Sequence, residues 1–263
     1  MDALPIALAA TTATADPTAN AAAVSASLSA AAAAGARLLL TPEAALIGYP
    51  GAERAGCADL DAAQLAKLET TLDRQAAALG IGLLVGSASP WQGGWSNDCF
   101  CCGAVPRQLR YRKRALTPLD QHHFRPGPLE QACVLDCDAW RCGLSICYEL
   151  RFPTFWTAPL RAGVDALLSI AYMAGPDPDP GSKAELIPRL YAARAGECVT
   201  PLAVCNTAAA DRWCDSRVID ARGRLQEQRG EGLLIGELRH REQLPGWSDW
   251  YAALYADAQR WAR

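Results

Sequence analysis

Short apolar runs alternate along this chain with longer stretches of helical periodicity. The short runs predict strands at residues 4–8, 37–41, 81–87, 99–105, 108–113, 132–136, 140–147, 166–170, 200–205, 216–220 and 233–238. The longer stretches predict helices at residues 17–34, 61–79, 153–162, 183–197 and 247–263. Gly35 and Gly80 end the first two helices, because glycine readily adopts the left-handed conformation of a helix stop. A loop rich in Pro, Gly and Asp is predicted at residues 173–182.

This order of elements predicts one α/β domain over residues 1–263, with many strands and few helices. A single sheet of so many strands tends to split into two packed sheets. We therefore expect a sandwich of two sheets with the helices outside. The aromatic-rich tail at 245–263 would expose a large apolar patch if it stood free. We expect it to pack at a subunit interface or to fold back on the body.

Composition narrows the range of functions. Hydrophobic residues make up 51% of the 263 residues, and the formal net charge is −3. Without a basic excess to neutralise phosphates, the chain is not expected to bind nucleic acid or an anionic membrane. Its apolar stretches are shorter than the ~20 residues that span a bilayer, and no early basic residue marks a secretory signal. A cytoplasmic location is the expectation.

Eleven cysteines are a high number for a chain of this length. In the cytosol they are expected to be reduced thiols, and several are interpreted as small buried hydrophobic residues. Cys99 and Cys101 alternate as strand residues do, which disfavours a zinc site. No metal is expected.

Cys147 is the most informative residue of the chain. An apolar strand run ends at this thiol, and a helix is predicted to begin at Pro153. Ligands and reacting groups collect at the carboxyl ends of strands in α/β sheets. A helix N-terminus also favours the thiolate form of cysteine. Cys147 is therefore the candidate nucleophile.

Glu43 and Lys113 have the same placement, each at the end of a predicted strand. A thiol that attacks a carbonyl or nitrile carbon needs a base and a donor for the oxyanion. Glu43 is the candidate base and Lys113 the candidate donor, with the backbone N–H after Cys147 as a second donor. A carboxylate raises and an ammonium lowers the pKa of a neighbouring thiol, a balance that suits proton transfer better than a permanent thiolate.

Three segments resemble motifs of the nitrilase (carbon–nitrogen hydrolase) superfamily. Residues 41–49 (TPEAALIGY) resemble its first motif, residues 111–116 (YRKRAL) its lysine motif, and residues 143–153 (GLSICYELRFP) its nucleophile motif. The order of the motifs and their approximate separations also match. The resemblance extends from about residue 4 to 240, with weaker similarities that include Asn97.

The resemblance implies a four-layer αββα sandwich that forms homodimers through its helices. It also implies an enzyme that hydrolyses amides, N-carbamoyl compounds or nitriles without a metal or organic cofactor. In such an enzyme Glu43 would be the general base, Lys113 the oxyanion stabiliser and Cys147 the nucleophile that forms a thioester.

One position departs from the family pattern. Many members carry a second glutamate eight residues after the lysine, and this chain has Gln121 there. Glutamine forms hydrogen bonds but supplies no charge, so Asp120 and His122 are candidates for that role. The candidate substrate-binding residues are Tyr49, Gln121, His122, Tyr148 and Tyr172.

The sequence therefore predicts a cysteine amidohydrolase that acts on a small linear amide, including ω-amides of amino-acid-derived acids. Residues 147–153 are more similar to amidase branches, since tryptophan more often follows the cysteine in true nitrilases. An N-carbamoyl hydrolase and a nitrilase are alternatives with related chemistry, and acyl transfer to an acceptor other than water is another. Gln121 motivates a further alternative, a catalytically silent member that binds a small acid or a partner protein.

Overall fold

A computed structural model describes residues 2–131, 133–175 and 181–262. Its strands are β1 (Leu4–Ala10), β2 (Leu38–Leu40), β3 (Gly82–Trp91), β4 (Gly94–Gly103), β5 (Leu109–Arg112), β6 (Val134–Cys137), β7 (Trp140–Ile146), β8 (Ala166–Ala171), β9 (Leu202–Asn206), β10 (Ser216–Ile219), β11 (Leu225–Arg229) and β12 (Gly232–Leu238). Its helices are α1 (Pro17–Ala33), α2 (Ala62–Leu79), α3 (Thr154–Arg161), α4 (Lys183–Cys198) and α5 (Asp249–Trp261). Each predicted strand and helix is present. The predicted loop at 173–182 lies partly outside the described residues.

The strands form two six-stranded sheets. The order is β12-β1-β2-β3-β4-β5 in the first sheet and β11-β10-β9-β8-β7-β6 in the second. Strands β1, β2 and β3 run parallel, as do β7, β8 and β9, and the flanking strands pair antiparallel. Helices α1 and α2 pack on the first sheet, and α3 and α4 pack on the second. The predicted αββα sandwich is confirmed.

The two sheets enclose the larger apolar core. Leu4, Ile6 and Leu8 of β1 belong to the same buried cluster as Leu144 and Ile146 of β7. These residues alternate along their strands, as a face that is buried against a second sheet requires. Each such aliphatic side chain stabilises the fold by roughly 1.5–3 kcal/mol relative to exposure. The apolar layer between the two sheets therefore contributes much of the stability of the sandwich.

Helix boundaries follow the sequence signals. The Asp16 carboxylate accepts a hydrogen bond from Thr18 N at 2.9 Å, and the Asp61 carboxylate accepts one from Ala63 N at 2.8 Å, so each caps its helix. Such caps contribute about 1 kcal/mol. Gly80 ends α2 with φ of 67°, a left-handed conformation that costs glycine little.

Strand β11 was not predicted from the sequence. All five of its residues are exposed, so they carry no apolar alternation that would identify a strand. Backbone pairing with β10 places it at the edge of the second sheet. Tertiary pairing, and not local pattern, therefore determines this element.

The C-terminal helix folds back on the body. Tyr255 donates a hydrogen bond to Val164 O at 3.3 Å, and Gln259 donates one to Leu160 O at 3.2 Å. Trp250 and Trp261 remain 65% and 76% exposed. Contact of this helix with another subunit stays a prediction. None of the described helices is long and apolar enough to cross a membrane.

Candidate active site

Cys147 directly follows β7 and begins a short 3-10 helix that ends at Arg151. Its φ is 48°, in the left-handed region that non-glycine residues rarely occupy. The Cys147 side chain is buried, with 4% of the residue exposed, and Sγ lies 3.7 Å from Tyr172 O. Strained backbone of this kind tends to occur at functional sites, where it aims a side chain in a direction that relaxed backbone does not allow.

Glu43 lies in the turn after β2 and is buried. Gly86 of β3 passes so close that a Cβ there would lie 2.1 Å from Pro42 O, so only glycine allows this approach. Gly86 N also donates a hydrogen bond to Thr41 Oγ1 at 3.1 Å. The carboxylate of Glu43 is thereby held at the carboxyl end of β8 in the second sheet, where its Oε2 accepts a hydrogen bond from Tyr172 N at 2.9 Å.

Lys113 directly follows β5 and is fully buried. Its Nζ donates to Glu43 Oε1 at 2.6 Å and to Asp120 Oδ2 at 2.7 Å. An ammonium carries three N–H donors, so these two contacts leave one for another acceptor. The structure therefore brings the Cys147, Glu43 and Lys113 of the sequence prediction into one buried cluster.

Asp120 supplies the second carboxylate of this cluster. It begins a short 3-10 helix seven residues after Lys113 and is buried. Besides the ammonium, its carboxylate accepts hydrogen bonds from Tyr49 Oη at 2.8 Å and from Thr117 N at 2.9 Å. Of the candidates that the sequence left open, Asp120 is the one in contact with Lys113.

Gln121 and His122 lie elsewhere. Both are exposed, and the Gln121 amide donates to Leu116 O at 3.3 Å. A 3-10 helix turns by about 120° per residue, so only one of these three consecutive side chains faces Lys113. Neither Gln121 nor His122 lines the cavity beside Cys147, and their contact with a substrate stays a prediction.

Burial and neighbouring charges set the protonation states. Burial, followed by the Glu43 carboxylate, raises the pKa of the Cys147 thiol well above its usual value, although Lys113 acts in the opposite direction. Burial acts against the charge of Lys113, but Glu43 and the other acidic neighbours raise its pKa well above the usual value. Burial also acts against the charge of Asp120, yet Lys113 holds the pKa of this carboxyl below its usual range. The cluster at rest thus contains a protonated thiol beside an ion pair.

Glu149 connects the turn that contains Cys147 to the end of β5, which Lys113 follows. Its Oε2 accepts hydrogen bonds from Ile146 N and from Tyr111 Oη, each at 2.8 Å, and its Oε1 accepts one from Arg114 N at 2.8 Å. Residues on both sides of Lys113 and next to Cys147 are thus fixed to one buried carboxylate. These hydrogen bonds fix the end of β5 relative to the end of β7 across the two sheets.

A cavity of about 550 Å³ opens beside Cys147. Tyr49, Tyr148 and Tyr172 line it, and the rings of Tyr49 and Tyr172 stack with centroids 4.3 Å apart. Arg151 and Lys183 also line it. Lys183 was not identified from the sequence, because it lies at the start of α4 with no motif around it.

A larger cavity of about 680 Å³ lies between β10 and β12. No cysteine lines it, so it offers no nucleophile, and the smaller cavity at Cys147 is the candidate substrate site. In the described ranges, no three His, Cys, Asp or Glu side chains gather so as to hold a metal ion. All eleven cysteines lie within those ranges and are free thiols.

Residues 5–242 match the model of the carbon–nitrogen hydrolase family. The chain is 31% identical over 157 residues to "Omega-amidase YafV" of Yersinia enterocolitica, an alignment that spans 54% of this chain and 57% of that protein.

Solved structures of an amidase from Nesterenkonia sp. AN1 have the same fold. A variant of it in complex with butyramide is 26% identical, with a TM-score of 0.78 and coverage of 98% of this chain and 96% of that one. Another variant shows covalent addition of the acetamide moiety of fluoroacetamide at the active site cysteine. It is 25% identical, with a TM-score of 0.78 and coverage of 98% and 96%.

Proposed function

The chain belongs to the carbon–nitrogen hydrolase family, and from that premise we propose that it hydrolyses a small linear amide through a thioester at Cys147. The observation that carries the proposal is the buried convergence of the Cys147 thiol with the Glu43–Lys113 ion pair beside a cavity. The covalent adduct at the cysteine of the Nesterenkonia amidase supports the assignment of the nucleophile.

Formation of the acyl-enzyme begins with proton transfer. Glu43 takes the proton of the Cys147 thiol, and the sulfur attacks the amide carbon. The carbonyl oxygen becomes negative and is stabilised by the remaining N–H of Lys113 and by the backbone N–H of Tyr148. The C–N bond then breaks, Glu43 returns the proton to the nitrogen, and ammonia leaves the thioester.

Hydrolysis of the thioester uses the same groups. Glu43 takes a proton from water, the resulting hydroxide attacks the thioester carbon, and Lys113 again stabilises the oxyanion. The C–S bond breaks, the sulfur recovers its proton from Glu43, and the carboxylic acid departs. The raised pKa of the Cys147 thiol is consistent with this scheme, because a protonated thiol requires a base in each cycle.

The cavity favours an amide that carries a carboxylate at its far end. Arg151 and Lys183 line the cavity, and no Asp or Glu is among the described residues that do so. The Lys183 ammonium lies 4.1 Å from the centroid of the Trp213 ring, so a cation–π contact holds its charge in place. We propose an ω-amide of a short acid as the substrate class, and the name of the Yersinia relative supports it.

Ammonia release by the purified protein tests the proposed function. The panel contains ω-amides of short dicarboxylic acids, neutral aliphatic amides, N-carbamoyl amino acids and nitriles. Preferred turnover of the ω-amides is expected. Release of carbon dioxide with the ammonia would identify a carbamoyl hydrolase instead, and product formation only with an added amine would identify acyl transfer. No turnover, with a Cys147 that does not react with iodoacetamide, would contradict an enzymatic role.

Arg151→Gln and Lys183→Gln are expected to raise the KM for an ω-amide by roughly 10-fold or more each, since a hydrogen bond to a charged group contributes about 1.5–3 kcal/mol. The KM for a neutral aliphatic amide of the same length is expected to stay within about 3-fold, because it has no carboxylate to lose the contact. Arg107→Gln is the control, since Arg107 is exposed and does not line the cavity. Equal changes for both substrates would contradict a carboxylate subsite.

Asp120→Asn is expected to lower kcat by roughly 10- to 100-fold, because a displacement of about 1 Å in a catalytic group has an effect of that order. The asparagine keeps the shape but removes the charge that holds the Lys113 ammonium. Gln121→Ala is the matched control, and kcat is expected to change little, since Gln121 is exposed. A larger loss for Gln121→Ala than for Asp120→Asn, measured by ammonia release, would assign the second polar partner to Gln121.

A further inference from the structure

Asn97 of β4 lies inside the active-site cluster, although the mechanism above assigns it no role. It is fully buried. Its Nδ2 donates a hydrogen bond to Glu43 Oε1 at 2.8 Å, and its backbone oxygen accepts one from Lys113 N at 2.8 Å. One residue therefore contacts the base through its side chain and the oxyanion donor through its backbone.

The two oxygens of Glu43 have different surroundings. Oε1 accepts hydrogen bonds from Asn97 Nδ2 and from Lys113 Nζ. Oε2 accepts one from Tyr172 N, and the carbonyl of the same Tyr172 lies 3.7 Å from Cys147 Sγ. Oε1 is thus occupied by two donors, while Oε2 lies on the side of the thiol and retains a lone pair for a proton.

The Oδ1 atom of Asn97 is buried and has no hydrogen-bond partner. A buried acceptor without a partner costs about 1–3 kcal/mol. An apolar side chain at this position would avoid that cost if the residue served only to fill space. The amide is therefore retained for its donor side, which is the side that contacts Glu43.

We infer that Asn97 is a positioning residue that occupies Glu43 Oε1 and so makes Oε2 the oxygen that exchanges a proton with the Cys147 thiol. In that exchange the S–H bond of Cys147 breaks and an O–H bond forms at Oε2, while Asn97 and Lys113 keep their hydrogen bonds to Oε1. The inference rests on the proposed function for its role in turnover, but its effect on thiol reactivity is measurable without turnover.

A neutral donor favours the charged form of a carboxylate, and a second carboxylate beside it disfavours that form. Asn97→Asp keeps the side-chain volume but replaces the amide donor with an acid. The pH below which Cys147 loses its reactivity with iodoacetamide is expected to rise by about one unit or more, because the base is then protonated at higher pH. The fall in kcat is expected to be about 10- to 100-fold, with KM within about 3-fold of the wild type.

Asn97→Ala is a second variant that removes the donor without adding an acid, and a smaller shift in the same direction is expected. Asn20→Ala is the matched control. Asn20 is also a buried asparagine with several hydrogen bonds, but its partners are Thr14 and Leu46, and none of these bonds reaches Glu43, Lys113 or Cys147. Asn20→Ala is expected to lower stability and to leave the pH profile of Cys147 alkylation unchanged.

An unchanged alkylation profile in folded Asn97→Asp would overturn the inference, and so would an equal shift in Asn20→Ala. If Asn97→Ala does not fold, Asn97→Asp alone decides. The wild type could release no ammonia from any amide while the pH profile of Cys147 alkylation still shifts in Asn97→Asp. That pair of results would contradict the proposed function and support the role of Asn97. The two failures are thus distinguishable.

Discussion

Cys147→Ala and Cys147→Gly are both expected to lose turnover by on the order of 10⁴-fold or more, because neither retains a nucleophile. Their stabilities are expected to differ in an unusual order. The backbone of Cys147 has φ of 48°, which costs an alanine about 1–2 kcal/mol and costs a glycine almost nothing. The glycine variant is therefore expected to be more stable than the alanine variant by about 1 kcal/mol, after its greater loss of backbone entropy.

Ammonia release and urea unfolding of the two variants test this prediction. Cys205→Ala is the control, because Cys205 of β9 is also a buried thiol but does not line the cavity. It is expected to retain kcat. Turnover that survives in Cys147→Ala would contradict the thioester mechanism. A glycine variant less stable than the alanine variant would show that the left-handed backbone at the nucleophile stores no strain.

Lys113→Met is expected to abolish turnover and to lower the free energy of unfolding at pH 7 by about 3–5 kcal/mol. The Lys113 ammonium is fully buried between the carboxylates of Glu43 and Asp120. Its attraction to them offsets the cost of removing three charges from water. Methionine fills a similar volume but leaves two carboxylates without a cation, and a buried uncompensated charge is strongly destabilising.

The pH dependence of the free energy of unfolding provides a second test. In the wild type, the lowered pKa of Asp120 stabilises the fold above the ordinary Asp range, and this stabilisation is lost as the pH falls. The raised pKa of Lys113 stabilises it below the ordinary Lys range, and this is lost only at alkaline pH. These two groups therefore contribute little slope between about pH 5 and 8.

In Lys113→Met the free energy of unfolding is expected to depend on pH in this range, with a negative slope. The paired carboxylates would keep a proton in the folded state that the unfolded chain releases near pH 4, so stability would fall as the pH rises from about 5 to 7. Urea unfolding at several pH values measures this. Lys67→Met, at an exposed lysine of α2, is expected to show no such slope. A Lys113→Met protein as stable at pH 7 as at pH 5 would contradict the buried ion cluster.

Much of the fold could be predicted because its signals are local. Periodicity located the strands and helices, and the helix-ending glycine Gly80 located the end of α2 to the residue. Strand β11 was missed because its five side chains are all exposed. The lesson is that pairing with a neighbouring strand creates an element that the hydrophobic pattern of its own residues does not contain.

The central site residues could be predicted because each ends a strand. Glu43 follows β2 of the first sheet and Cys147 follows β7 of the second, so the two meet where the sheets pack together although they are far apart in the sequence. The strand ends do not show whether Asp120 or Gln121 contacts the Lys113 ammonium. It depends on the rotation of one short helical turn against Lys113, and a shift of one residue reverses the result.

The sequence by itself therefore determined the layered α/β class, the family and the thiol, carboxylate and ammonium at the strand ends, because these follow from local periodicity and motif order. The tertiary structure alone decided that Asp120 faces Lys113, that Asn97 holds one oxygen of Glu43, and that Lys183 reaches the cavity. Asn97 lies on β4, Glu43 follows β2 and Lys113 follows β5 of the same sheet, and Lys183 begins α4. Their geometry depends on how the two sheets and α4 pack, which no window of the sequence records.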